Sequence, residues 1–233
     1  MKKIISLCLL LLISLFSFFA ENIELEIYLL NGTMDKVFIE DSINELYGFK
    51  MHLSFKKDGT ELYKYEHKSP IVKIENLSMF KNLKKVELNR ELHNLTDISG
   101  FESATIEELI VTYGLNQMSL TSIAKMTNLK VLYLNSMEIP ELNLLDISTT
   151  KLEYIEISSS KLQKIKQTIF PSTLRYLNFV GNDKLIIDDD TIKDINSKNI
   201  TVIYDENIPG IEHQLNGNSI YTSFPTEYLR FVL

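Results

Sequence analysis

Cysteine is all but missing from this chain. The single thiol among its 233 residues is Cys8, inside an apolar N-terminal run. A mature chain without that run has nothing to offer disulfides, thiolate metal sites or cysteine nucleophiles, so an exported form must rely on its core. Cysteine-dependent ubiquitin-ligase effectors are excluded on the same ground. Histidine is scarce as well. His52, His67, His93 and His213 are scattered, with no H-x-x-x-H or paired-metal spacing. No phosphate-cradling glycine loop or nucleophile-elbow sequence is present. Positive charge is in deficit: 24 Lys+Arg face 31 Asp+Glu, a net charge of −7, and losing Lys2 and Lys3 leaves 22 against 31, or −9. That sign does not suit a phosphate-backbone binder, so no nucleic acid is expected as partner. What remains is ordinary globular material, 45% hydrophobic and 24% charged, which excludes disorder and collagen. The reading at this level is a protein without catalysis, cofactor or metal.

The N-terminus is built like a secretory leader. Met1-Lys2-Lys3 precedes the apolar run Ile4 to Phe19, and Ala20-Glu21 follows it. The run is 16 residues, short of the roughly 20 that a spanning helix needs. Residues 1–20 are therefore read as a signal peptide and the chain as exported: secreted, periplasmic or on the cell surface, with no stable membrane span after cleavage. An uncleaved anchor is the alternative, because Phe18 is bulkier than cleavage sites prefer. The leader, with the abundance of Lys, Asn and Ile, points to a bacterial source.

The middle of the chain repeats. The pattern apolar-x-x-apolar-x-apolar occurs at Leu83-Val86-Leu88, Ile106-Leu109-Val111, Leu129-Leu132-Leu134, Leu152-Ile155-Ile157 and Leu174-Leu177-Phe179. Successive starts lie 23, 23, 23 and 22 residues apart, inside the roughly 20–29 of leucine-rich repeats. A degenerate sixth unit begins at Ile200. Alternation along a short strand sends the fourth and sixth positions inward and the third and fifth outward. Apolar residues such as Leu95-Ile98-Phe101, Leu120-Ile123-Met126 and Leu142-Leu145 would close the back over the same core. Pro140 and Pro171 argue against long helices there.

These residues, together with Asn94-Leu95-Thr96-Asp97-Ile98-Ser99-Gly100-Phe101 and Met126-Thr127-Asn128-Leu129, resemble the leucine-rich repeat family, in particular its short bacterial internalin-like class. The resemblance covers residues 71–205 and implies an α/β solenoid: a right-handed coil with a parallel β-sheet on one face. It departs from the family at the ninth position, where an asparagine is usual. Here that position holds Glu91, Gly114, Met137, Ser160 and only once an asparagine, Asn182. Ser160, Thr112 or water are the candidates to satisfy the inner amides instead.

Exposed ends of such a stack need caps. Residues 21–70 are read as a small β-rich N-terminal cap of two hairpin-like pieces, turning at Asn31-Gly32 and Asp58-Gly59, with a short helix over Ile39 to Leu46 between them. Residues 206–233, with Tyr221, Phe224, Tyr228 and Phe231, are read as a C-terminal cap or tail. Asp188-Asp189-Asp190 fits a helix N-terminus better than calcium, with Asp189 or Asp190 as the cap of a helix near Thr191.

Function is placed on the outward face of the strands. Ile110, Val131, Tyr133, Tyr154 and Tyr176 form an apolar and aromatic patch flanked by Glu87, Glu108, Glu156 and Asn178. Tyrosines offer large contact area at low entropic cost and are enriched in protein-binding hot spots. The reading is recognition of another macromolecule, in the first instance a protein, through this face. The alternative is a self-associating structural module of the cell envelope or periplasm, a homo-oligomer burying the patch.

Overall fold

The computed structural model describes residues 21–49, 51–89, 95, 97–103, 105–112, 120–143, 145–205, 215 and 219–221. The leader and most of the C-terminal stretch, including Phe224, Tyr228 and Phe231, lie outside these residues. The strands, in chain order, are β1 (Asn22–Leu29), β2 (Met34–Glu40), β3 (Glu45–Phe49), β4 (His52–Lys57), β5 (Thr60–Glu66), β6 (Ile71–Glu75), β7 (Lys85–Asn89) and β8 (Glu108–Thr112). There follow β9 (Val131–Asn135), β10 (Glu141–Asn143), β11 (Tyr154–Ser158), β12 (Lys164–Lys166), β13 (Tyr176–Asn178), β14 (Ile186–Ile187), β15 (Thr201–Tyr204) and β16 (Ser219–Tyr221). Among the described residues there is one α-helix, α1 (Asp189–Ser197), between β14 and β15.

Three sheets result among the described residues. A ten-stranded sheet runs β16-β15-β13-β11-β9-β8-β7-β3-β4-β5, and two three-stranded sheets run β2-β1-β6 and β10-β12-β14. From β3 through β16 the long sheet is parallel, and β4 and β5 extend it antiparallel at one edge. The 22–23-residue interval is expressed as strand register: Val86, Leu109, Leu132, Ile155 and Leu177 stand opposite one another in turn, and Val202, 25 residues on, continues the row. All six are buried. Register is pinned where each strand begins. The carbonyl of Lys84 accepts the amides of Glu107 and Glu108, that of Glu107 those of Lys130 and Val131, and that of Lys130 those of Glu153 and Tyr154. Slipping by one residue would break both amide bonds and turn the apolar row outward.

The α/β leucine-rich repeat solenoid expected from the spacing is corrected by these observations. The fold is β-rich and helix-poor, its main sheet is mixed, and no solenoid closure is found. The physical reason lies in the segments between the repeated strands. Pro140 and Pro171 interrupt two of them, and no helix forms among the described residues of those two. Three 3₁₀ turns (Leu77–Met79, Ser99–Phe101 and Thr121–Lys125) stand in some of them. In others the chain stays extended and pairs as the parallel sheet β10-β12-β14, where Leu142, Ile165 and Ile187 meet. Leu142 faces the long sheet: with Leu145, Phe170, Leu132, Ile155 and Leu177 it lines a small apolar void in the core. Burying a Leu or Ile of this kind contributes roughly 1.5–3 kcal/mol.

Both expected hairpins form. β1 pairs with β2 through Asn31-Gly32, where Gly32 sits at φ 84°, and Leu29 N donates to Thr33 O at 2.9 Å. β4 pairs with β5 through Asp58 (φ 49°) and Gly59 (φ 79°), two successive positive angles as a type I′ turn requires. The helix expected over Ile39 to Leu46 is absent. β2 runs to Glu40, a turn follows, and β3 begins at Glu45. Asn44 explains the change: its carbonyl accepts the amides of Lys84 and Lys85, which draws the segment into the long sheet beside β7. The turns after β9, β11 and β13 place Ser136, Ser159 and Gly181 at positive φ (54°, 49° and 79°). Below them Asn182 closes the account of buried polar groups. Its Oδ1 accepts from Ser160 N (3.1 Å) and Leu162 N (2.9 Å), and its Nδ2 donates to the carbonyls of Ile157 (2.7 Å) and Phe179 (2.8 Å). One unit earlier Ser160 serves in the same place, accepting from Met137 N and donating to Ser158 O.

Candidate functional site

The register assembles the outward face row by row. Lys85, Glu108, Val131, Tyr154 and Tyr176 lie opposite one another, and Glu87, Ile110, Tyr133, Glu156 and Asn178 form the adjoining row. All nine residues expected in the patch therefore share one face of one sheet. The two rows differ in exposure. Glu108, Val131, Tyr154 and Tyr176 are partly exposed. In the adjoining row Ile110 and Tyr133 are 6% exposed, and Glu156 and Asn178 are fully buried. The second row is thus interior to the folded chain, and only its Glu87 end reaches solvent.

Polar order is greatest around Glu156. Its carboxylate accepts the Tyr154 hydroxyl (2.6 Å), the Ser158 hydroxyl (2.6 Å) and the Asn178 amide (3.0 Å). Asn135 Nδ2 donates to Ser158 Oγ at 2.7 Å, so the neighbouring strand β9 joins the network. Burial, then the negative charge of Glu156, pushes the Tyr154 hydroxyl well above the ordinary tyrosine range. Tyr154 is therefore a donor that holds the carboxylate, and its ring edge remains on the partly exposed row. Toward the other end charge replaces aromatic surface. Lys85 reaches Glu87 (3.2 Å) and Glu108 (3.7 Å), and its ammonium lies 5.4 Å from the Tyr47 ring, which Lys56 covers at 4.2 Å. Burial alone would lower the Lys85 ammonium, but Glu87 outweighs it and the group is held above its usual range.

Sequence reasoning missed Tyr47 on this face, because Glu45–Phe49 read as part of the cap. The signal was there: Tyr47 alternates with the apolar Leu46 as Glu87 does with Val86, and the two stand opposite in the sheet. It also missed Asn135 and Ser158 as the supports of Glu156, although both recur at one position of the repeat.

The acidic run behaves as a cap, at a different residue from the one expected. Asp188, rather than Asp189 or Asp190, precedes α1; its Oδ1 accepts Thr191 N at 2.9 Å and its Oδ2 accepts Gln167 N at 2.9 Å. Extended backbone at Asp188 is what lets its side chain fold back onto the first turn. Among the described residues no group of three His, Cys, Asp or Glu side chains is placed to hold a metal ion. His52 lies on β4 and His67 just after β5, while His93 and His213 fall outside the described residues. No helix among the described residues is long and apolar enough to cross a membrane.

The strand face thus offers a partly exposed line of Glu108, Val131, Tyr154 and Tyr176, held at Tyr154 by the buried carboxylate network of the adjoining row. Comparison of the chain with protein-family models, with curated proteins and with solved structures finds no match to any of them.

Proposed function

We propose that this chain is an exported, non-enzymatic protein that binds another protein through the exposed row of its strand face, Glu108, Val131, Tyr154 and Tyr176. The observation that carries the reading is the register itself: four consecutive strands present an acid, a valine and two tyrosines side by side on a backbone that the ladder holds fixed. A preordered aromatic row loses little freedom on binding, which favours affinity. Ile110, Tyr133, Glu156 and Asn178 support that row from within instead of meeting the partner. Export is supported by the leader-like sequence of residues 1–20 alone.

The test is capture of partners from envelope and host extracts by the chain beginning at Glu21, compared with Tyr176→Ala and Val131→Asp. Loss of one protein from both variants, with their unfolding midpoints unchanged, supports the assignment. Equal capture by all three rejects it. A concentration-dependent dimer abolished by the same two changes would make the partner a second copy of this chain.

A further inference from the structure

The segment 67–70 joins the edge of the ten-stranded sheet to the three-stranded sheet β2-β1-β6, and the tip of the β1–β2 hairpin is tied to it. Leu30 N donates to Pro70 O at 2.8 Å, and Asn31 N donates to Ser69 Oγ at 3.2 Å. His67 N donates to Met51 O at 2.9 Å, which fixes the same segment to the start of β4. At the centre of this joint is the His67 ring, 4% exposed. Its Nδ1 lies 2.7 Å from the carbonyl oxygen of Ser69. A carbonyl only accepts, so Nδ1 carries the proton and Nε2 of the neutral ring is a bare lone pair. Nε2 is buried and has no hydrogen-bond partner.

That arrangement suits only the neutral ring. A second proton would sit on Nε2 with no acceptor, inside the protein. The groups around the ring do not reverse this. The Tyr65 ring of β5 stacks on it at 6.0 Å between centroids, and the Tyr65 hydroxyl is donated to Asp35 of β2. His52 of β4, edge-on to Phe49 of β3, opposes a positive charge on His67, while the Asp35 carboxylate favours one. Burial outweighs the help from Ser69 O and Asp35 and holds the imidazole below the ordinary histidine range.

We propose that His67 is an acid-sensitive latch: protonating its ring expels it from the joint and releases the β1–β2 hairpin from the long sheet. The sign follows from linkage. The ring titrates lower in the latched state than in the open one, so the latch is secure above the open-state value near 6.5 and loosens as pH falls below it. Opening then rises about tenfold for each pH unit until the latched ring itself protonates. The Asp35–Tyr65 contact is lost with it, because Tyr65 is stacked on the departing ring.

Hydrogen exchange of the full chain at pH 7.5 and pH 5.0, corrected for intrinsic rates, tests this. Peptides from β1 and β2 should lose about tenfold or more in protection, while those from β9 and β11 stay constant. His67→Asn retains a donor for Ser69 O without a titrating ring, and should abolish the pH effect; His52→Gln should leave it in place. Unchanged hairpin protection in the wild type, or the same loss in His67→Asn, overturns the proposal. Should His67→Asn not fold, the ring signal of wild-type His67, assigned by elimination with His52→Gln, His93→Gln and His213→Gln, decides. A midpoint below the ordinary histidine value near 6.5 supports the latch and one at or above it overturns it.

Discussion

Replacing Asn182 by Ala removes one side chain and strands four buried backbone groups at once. The amides of Ser160 and Leu162 lose their acceptor, and the carbonyls of Ile157 and Phe179 lose a donor. Asn182 is almost fully buried, so solvent does not reach these groups without rearrangement. A buried group left unpaired costs about 1–3 kcal/mol. The two amides bear the larger part, because a carbonyl has a second lone pair and tolerates under-satisfaction better. We therefore expect a loss of about 3–5 kcal/mol, with Ser160→Ala, which breaks one accepted and one donated bond, losing about 1–2 kcal/mol. Urea unfolding followed by far-ultraviolet circular dichroism and tyrosine fluorescence measures both, since the chain has 11 tyrosines and no tryptophan to mask them. An unchanged denaturant slope with a lower midpoint would show a loss of global stability; a shallower slope would show that β13 to β16 unfold on their own. A loss below about 1 kcal/mol for Asn182→Ala would refute the claim that this asparagine closes the backbone account at the turn after β13.

Gly100 gives a steric test. A Cβ there would lie 1.9 Å from Ile74 O and 2.9 Å from Glu75 Cα, so Gly100→Ala should cost about 3 kcal/mol or more. Gly32→Ala meets nothing within 4 Å and should cost only the roughly 1–2 kcal/mol of a positive φ; equal midpoints for the two variants would contradict the close approach of the Ser99–Phe101 turn to β6. Asp188 provides a pH test. Burial would raise its carboxyl, but the hydrogen bonds from Thr191 and Gln167 outweigh it and hold the group below the ordinary aspartate range. Its contribution is complete above the unfolded value near 3.9 and is lost as pH falls through the lower folded value. Asp188→Ala should cost about 1–2 kcal/mol at pH 7. Asp188→Asn keeps the capping oxygen without the charge, so the gap between wild type and Asp188→Asn should narrow from pH 5 to pH 2.5; a constant gap would refute the ionised cap.

The parts of this fold that could be read from sequence are those fixed by local chemistry. Asn31-Gly32 and Asp58-Gly59 announce turns because few other pairs accept their backbone angles, and the strands from Val86 to Leu177 declare themselves because alternation and a 22–23-residue interval coincide. Ser160 as a substitute for asparagine followed from the need to satisfy an inner amide. What could not be read depends on distant partners. The paths between the repeated strands were left open, since Leu142, Ile165 and Ile187 carry no more β signal than a short helix would, and their pairing exists only because three such segments meet. Ile39 to Leu46 has an apolar spacing that a helix would accept, but Asn44 is claimed by Lys84 and Lys85, some 40 residues away. In the patch, alternation correctly assigned all nine residues to one face. It carries no information about which row of that face is covered, so Glu156 read as a flanking surface acid although it is a buried acceptor.

The reversal of chain direction at β4 sets the character of that end of the molecule. Beyond β5 the sheet offers an outer margin bearing Glu61, Lys64 and Glu66, and a bulge between Phe55 and Lys56 breaks the flat pairing just inside it. An unguarded parallel margin would be a template on which further chains could add, strand upon strand, into fibres. The antiparallel hairpin replaces that template with an irregular one that carries Glu61, Lys64 and Glu66 beside the exposed Leu62 and Tyr63, and those charges work against strand addition at this edge.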